Sequence, residues 1–202
     1  MPQGLRPRAE RASRTRQALI DAALELFAER GYDATTTEEI AEAAGVSPRT
    51  FFRYFPTKES VLLRGESDFI RSFAGVYLAQ PDTMTELEAM RASFAVLAPG
   101  LHRLRGEIEL YRKAVASSFI LRGREGAAHA ENAGTMAAAM AARRGSAAPD
   151  AECELLAALG LTVLDHALSR WLDGPARTPF REVLDGSFAV LRKLAAPTPD
   201  DH

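Results

Sequence analysis

Only one cysteine, Cys153, occurs in the 202 residues. An unpaired cysteine excludes an intramolecular disulfide and a cysteine-built metal cluster. Cys153 is expected to be a small buried or half-buried hydrophobe. No apolar run approaches the length of a membrane span, so no membrane partner is expected. The opening MPQGLRPRAER has no apolar segment of the secretory type, and a cytoplasmic location follows as the expectation. Strand-type alternation and internal repeats are also missing, which leaves helices. Enzyme signatures are wanting as well: there is no G-x-S-x-G, no Walker A loop, no G-x-G-x-x-G and no H-E-x-x-H. His102, His129, His166 and His202 are scattered without metal-ligand spacing. No enzyme activity, cofactor or metal is expected. His166 reads as a core-edge or pocket histidine.

Charge of either sign is not in large excess. Lysine and arginine number 25 against 27 acids, a net charge of −2. That balance argues against a protein that coats nucleic acid, and the distribution is more telling. Residues 1–16 carry Arg6, Arg8, Arg11, Arg14 and Arg16 against Glu10 alone, a net +4. Residues 61–202 carry 16 basic and 18 acidic side chains. The basic excess therefore lies in an N-terminal arm, where it suits phosphate or the minor groove.

What is present is concentrated in TTTEEIAEAAGVSPRTFFRYFPTK, Thr36 to Lys58. Thr36 and Glu39 have capping-box spacing, which predicts a helix from Thr37. Gly45 suits a left-handed helix end, and Val46 plugs the turn. Ser47 caps the next helix, and Pro48 fits its first position. The pattern is a helix-turn-helix. Its second helix, Pro48 to Tyr54, turns Phe51 and Phe55 inward and leaves Arg49, Thr50, Arg53 and Tyr54 toward base edges and phosphates. Lys58 falls in the first turn of the following helix, electrostatically wrong for that helix alone but apt beside a phosphate.

The segments TTTEEIAEAAGVS, TFFRYF and PTKESVL resemble the DNA-binding domain of the TetR family of bacterial repressors, over about Arg14 to Leu63. That resemblance implies that Ser47, Thr50, Phe52, Arg53, Tyr54 and Lys58 match positions that touch DNA. Phe52 stands where the family usually has tyrosine, so a phosphate contact from that hydroxyl is lost, with Tyr54 or Arg53 left to supply it. The full set expected at DNA is Arg14, Thr37, Ser47, Pro48, Arg49, Thr50, Phe52, Arg53, Tyr54 and Lys58. Further on, SRWLDGP and PFREVLDGSFAVLRKL, Ser169 to Lys193, resemble TetR-type regulators of the mycofactocin group. That likeness implies an acyl-CoA-like effector.

Along the rest of the chain, a first helix is expected from Ser13 or Thr15 to Arg30. A fourth runs from near Thr57 to about Gln80. A capping box is read at Thr83 and Glu86, a stop at Pro99–Gly100, a helix over Leu101 to Leu121, and a bend at Gly123 and Gly126. The fold class is all-α with about nine helices. Residues 1–13 are expected as a disordered basic arm, 14–56 as the helix-turn-helix domain, 57–196 as an effector-binding and dimerisation domain, and 197–202 as a disordered tail. Phe69, Phe73, Tyr77, Phe94, Tyr111, Phe119, His166 and Trp171 are the candidate lining of an apolar pocket. Leu156, Leu159, Val163 and Leu168 with Phe180, Leu184, Phe188 and Leu191 form the candidate seam of a homodimer, because the last two helices are apolar on more than one face. The function expected is a dimeric regulator, a repressor, released from a palindromic operator by a small apolar effector. The alternative is a regulator whose bundle only dimerises.

Overall fold

A computed structural model describes residues 5–195 of the chain, and every described element is an α-helix. They are α1 (Leu5–Arg30), α2 (Thr37–Ala43), α3 (Pro48–Tyr54), α4 (Ser60–Leu78), α5 (Glu86–Arg103), α6 (Arg105–Ser117), α7 (Phe119–Arg143), α8 (Ala151–Asp173) and α9 (Phe180–Ala195). The expected disordered tail lies outside the described residues, as does the start of the arm. Residues 5–13, expected without structure, are the first turns of α1. Pro7 does not stop the helix there, because a proline in the first turn gives up an N–H that has no partner anyway.

The chain divides into two compact units, one of Met1–Glu66 with Gly106–Ala128 and one of Ser67–Arg105 with His129–His202. The unit that holds the head is therefore larger than the expected 14–56. Its core explains why: Ala114, Val115 and Leu121, from α6 and α7, are buried with Leu19, Ala23 and Phe27 of α1, Ile40 of α2, and Phe51 and Phe55. Nothing in the local pattern of residues 14–56 announces partners so far along the chain.

Local signals set the short helices of the head. Thr36 and Glu39 form the reciprocal capping box that starts α2. α2 ends with the Val46 N–H donating to the Ala41 carbonyl and the Gly45 N–H to Glu42, both at 2.9 Å. That is a Schellman closure. Gly45 takes φ +68° there, a value that a Cβ would disfavour. Ser47 then accepts the Thr50 N–H at 3.2 Å, and Pro48 opens α3.

The second unit departs from several expectations. Its capping box is Thr85 with Glu88, two residues later than expected. α5 runs through Pro99 and Gly100, because burial of Ala95, Ala98 and Leu101 outweighs the lost hydrogen bond. α7 likewise continues through Gly123 and Gly126, where a bend was expected. Rings fill the interior. Phe94 stacks on Phe69 at 6.2 Å and lies 4.5 Å from Phe73, which stacks on Tyr77 at 5.5 Å. Trp171 meets Phe180 edge-on at 5.4 Å. Gly160 of α8 lets the flexible ends of Met90 and Met136 press close.

One reading of the last helices needs correction. α8 has 23 residues and holds an 18-residue window of mean hydropathy 1.2, long and apolar enough to cross a membrane by length and composition. Its Cys153, Ala157, Leu161, Leu164 and Trp171 are buried in this unit, so it is accounted for as a core helix. Of the expected dimer seam, Val163, Phe180, Leu184 and Phe188 are buried within one chain. Leu156, Leu159, Leu168 and Leu191 are half-buried. With apolar residues on two faces of α9, spacing alone could not say which face turned inward. The core took positions 180, 184 and 188, left Val190 and Leu194 exposed, and left Val183 half-buried.

Candidate nucleic-acid interface

The seven residues of α3 span about 10 Å, short enough to enter a major groove about 12 Å wide. Phe51 and Phe55 are fully buried, which fixes the opposite face outward. That face presents exposed Pro48, Arg49, Phe52 and Arg53, with Ser47 at its start. Thr50 is half-buried and shares a 3.0 Å hydrogen bond with Ser47. Tyr54 is half-buried, and the Arg53 guanidinium lies 5.1 Å from its ring centroid. The ring steadies the arginine and leaves it exposed. Arg14 is exposed on α1, whereas Arg16 packs over the Phe55 ring at 5.4 Å and ties α1 to the end of α3. Thr37 is half-buried in the first turn of α2, its hydroxyl donating to Glu38 at 3.0 Å.

Lys58 sits differently from its expected role at a phosphate. Its Nζ donates to the Tyr32 and Thr35 carbonyls, both at 2.8 Å, and lies 4.0 Å from the Tyr32 ring centroid. The ammonium clamps the turn between α1 and α2. Partial burial lowers the Lys58 pKa, against the pull of Asp33 and Glu59.

Around this clamp runs a network that sequence reasoning missed. The Tyr32 hydroxyl donates to Glu59 at 3.1 Å, and Arg124 of α7 lies 3.3 Å from the same carboxylate. Ser118 donates to Asp33 at 3.2 Å. Burial opposes the charge of Glu59, but its own amide, Tyr32, Arg124 and Thr57 together hold its carboxyl below the ordinary value. Burial, then the Glu59 carboxylate, push the Tyr32 phenol up to about 12. Tyr32 and Glu59 are 27 residues apart in the chain, Glu59 and Arg124 65, and Asp33 and Ser118 85, and no spacing rule links them.

Of the expected pocket residues, Phe69, Phe73, Tyr77 and Phe94 pack on one another in the second unit, and His166 and Trp171 border one groove. Phe73, Tyr77, Phe94 and Trp171 are buried among other side chains of the second unit. Tyr111 packs against the core of the unit that holds the head. Phe119 is 82% exposed. His166 is exposed on α8 with Nδ1 3.1 Å from the Ser187 hydroxyl, beside an open groove of about 680 Å³ between the end of α8 and α9. Cys153 is buried. Among the described residues no group of three His, Cys, Asp or Glu side chains converges to hold a metal ion.

Two capped helices, a glycine turn and an outward basic face define a helix-turn-helix head. Residues 19–64 match the family "Bacterial regulatory proteins, tetR family". Over 109 residues the chain is 43% identical to the HTH-type transcriptional regulator TcmR of Streptomyces glaucescens, covering 54% of this chain and 47% of that protein. It is 33% identical over 105 residues to RutR of Escherichia coli, covering 52% and 45%. The matched region thus spans about half the length of these relatives. Among solved structures, FadR of Thermus thermophilus, a repressor in complex with lauroyl-CoA, is 28% identical with a TM-score of 0.57, over 93% of this chain and 98% of that one. A putative fatty acid metabolism regulator of Clostridium perfringens shares the fold, at 17% identity and a TM-score of 0.60 over 90% and 100%. Residues 19–64 thus form a DNA-binding head of the TetR type, and the chain is similar to transcriptional regulators of that family.

Two outcomes are expected from the clamp. Lys58→Met should lower stability by about 1 kcal/mol, because two carbonyls lose a charged donor. The salt dependence of DNA binding should be unchanged, where loss of a phosphate contact would reduce its slope by about 1. Chemical denaturation and salt titration measure the two effects. The second outcome concerns pH. The folded Tyr32 phenol titrates near 12, above the unfolded value of about 10, so the fold favours the neutral form. The stability difference between the native chain and Tyr32→Phe should be constant below pH about 10 and shrink as pH rises through about 12. A flat difference in melting temperature across that window would contradict the assignment.

Proposed function

We propose that this chain is a homodimeric DNA-binding transcriptional regulator, a repressor, that acts in the cytoplasm as a binder and not as an enzyme. The observation that carries the reading is the exposed Arg49, Phe52 and Arg53 face of α3, fixed by buried Phe51 and Phe55. Arginines suit guanine edges and phosphates, and the short helix suits the groove. On this reading Arg49, Thr50 and Arg53 meet base edges and nearby phosphates, while Arg14, Thr37, Ser47, Pro48 and Tyr54 line the same contact. Arg53→Ala should cost about 1–3 kcal/mol on the chain's own operator and relax selectivity at one position. Fluorescence anisotropy with a selected duplex measures it, and unchanged affinity in a folded variant removes Arg53 from the set.

One short helix contacts too few bases for useful specificity, so two heads on a palindrome are the natural arrangement. The outward faces of α8 and α9 support a symmetric pairing. Leu155 is 61% exposed, Val190 53% and Leu194 78%, with half-buried Leu159 and Val183 beside them. Burying such a surface against its own copy is favourable and closes with two-fold symmetry. A Leu155→Glu, Leu194→Glu chain should sediment as a folded monomer with much weakened operator binding. A variant that remains dimeric places the interface elsewhere.

The effector is proposed as a small apolar ligand, acyl-CoA-like, on the strength of the solved relative that holds lauroyl-CoA. Ligand binding would favour a dimer whose heads are wrongly spaced for DNA. A second reading, a regulator whose second unit only dimerises, is favoured by the mutual packing of Phe69, Phe73, Tyr77 and Phe94. Lauroyl-CoA separates them. The first reading expects a higher melting temperature and release of the operator, and the second expects neither.

A further inference from the structure

On the outward face of α3, Phe52 is the large apolar side chain. Its ring meets Phe51 edge-on, with centroids 5.4 Å apart and planes at 83°, yet the residue remains 50% exposed. The inner edge is thus seated on the core, and the outer part of the ring projects from the reading helix. Arg49 lies one turn before it and Arg53 immediately after, both exposed. No acidic side chain occurs on α3 to repel a phosphate backbone.

A phenyl ring has no donor for a phosphate and no donor or acceptor for a base edge. Left in water it is unfavourable, and its exposed part gains only by meeting another apolar group. In the major groove the standard bases offer one such group, the C5 methyl of thymine. A ring flanked by two arginines that draw the helix to the backbone is carried toward that edge. We propose that Phe52 is a specificity-determining residue that selects thymine at one position of each half-site by packing on its methyl group. This rests on the DNA-binding reading above. It differs from the arginine contacts in kind, because it reads an apolar group and needs no hydrogen bond.

Replacing thymine by deoxyuridine removes only the methyl, so base pairing and groove donors stay the same. The test begins by selecting a duplex for the full-length chain from a randomised pool. Each thymine of that duplex is then replaced in turn, and affinities are measured for the native chain, Phe52→Ala and Phe52→Tyr. The native chain should bind about four-fold more weakly when one particular thymine in a half-site is replaced, the weight of one buried methyl. Phe52→Ala should bind the thymine duplex more weakly and show no further loss with uracil. Phe52→Tyr keeps the ring against Phe51 should the alanine variant fold poorly. Its hydroxyl would meet the methyl, so it too should lose the preference for thymine. If the native chain tolerates uracil everywhere, or if the variants keep the uracil penalty, the proposal is overturned while the DNA-binding reading stands. If no duplex can be selected at all, both fall.

Discussion

Burial of Phe51 and Phe55 is the constraint on which the reading helix depends. A helix of seven residues has little stability of its own in water. α3 persists because these two rings sit fully buried among Leu19, Ala23, Phe27 and Ile40, and because Ser47 and Pro48 start it cleanly. Once the two rings are inside, the helical period determines what is outside. Arg49, Phe52 and Arg53 are displayed as a consequence of packing. The surface chemistry of the head is therefore coupled to its core: a change that loosens Phe51 or Phe55 would disturb the outward face without touching it.

A second layer holds the supports of that helix. Lys58 spends its ammonium on the carbonyls of Tyr32 and Thr35, and Tyr32 passes a hydrogen bond to Glu59, which Arg124 neutralises. Charged groups partnered in this way favour the arrangement of the turns that satisfies them. The turn between α1 and α2 and the start of α4 are thereby tied to the beginning of α7. Ser118, bonded to Asp33 at the break between α6 and α7, adds to the same tie.

Much of this head was legible in the sequence because its determinants are local. Thr36 with Glu39, Gly45, and Ser47 with Pro48 act over three or four residues, and each did what its chemistry predicts. The all-α class was equally plain from the absence of alternation. Long-range choices were not legible. The lysine at position 58 suits a phosphate and a pair of carbonyls equally well, and only the fold brings Tyr32 and Thr35 to it. Leu184 and Leu194 are the same residue type on the same helix, yet one is buried and the other 78% exposed. Which of two apolar stripes faces the core is decided by the neighbours, not by the stripe. The aromatic residues read as a pocket turned out to pack on one another, or to lie in different compact units, because size and apolarity mark both a lining and a filling.

The outward face of α3 is proposed to read DNA from the major groove. Methylation interference on a selected duplex tests it most directly, because guanine N7 lies in the major groove and adenine N3 in the minor groove. Methylation at guanine N7 should block binding in two clusters about 34 Å apart along the duplex, one for each head. Interference at adenine N3 alone, or none at any purine, would contradict it.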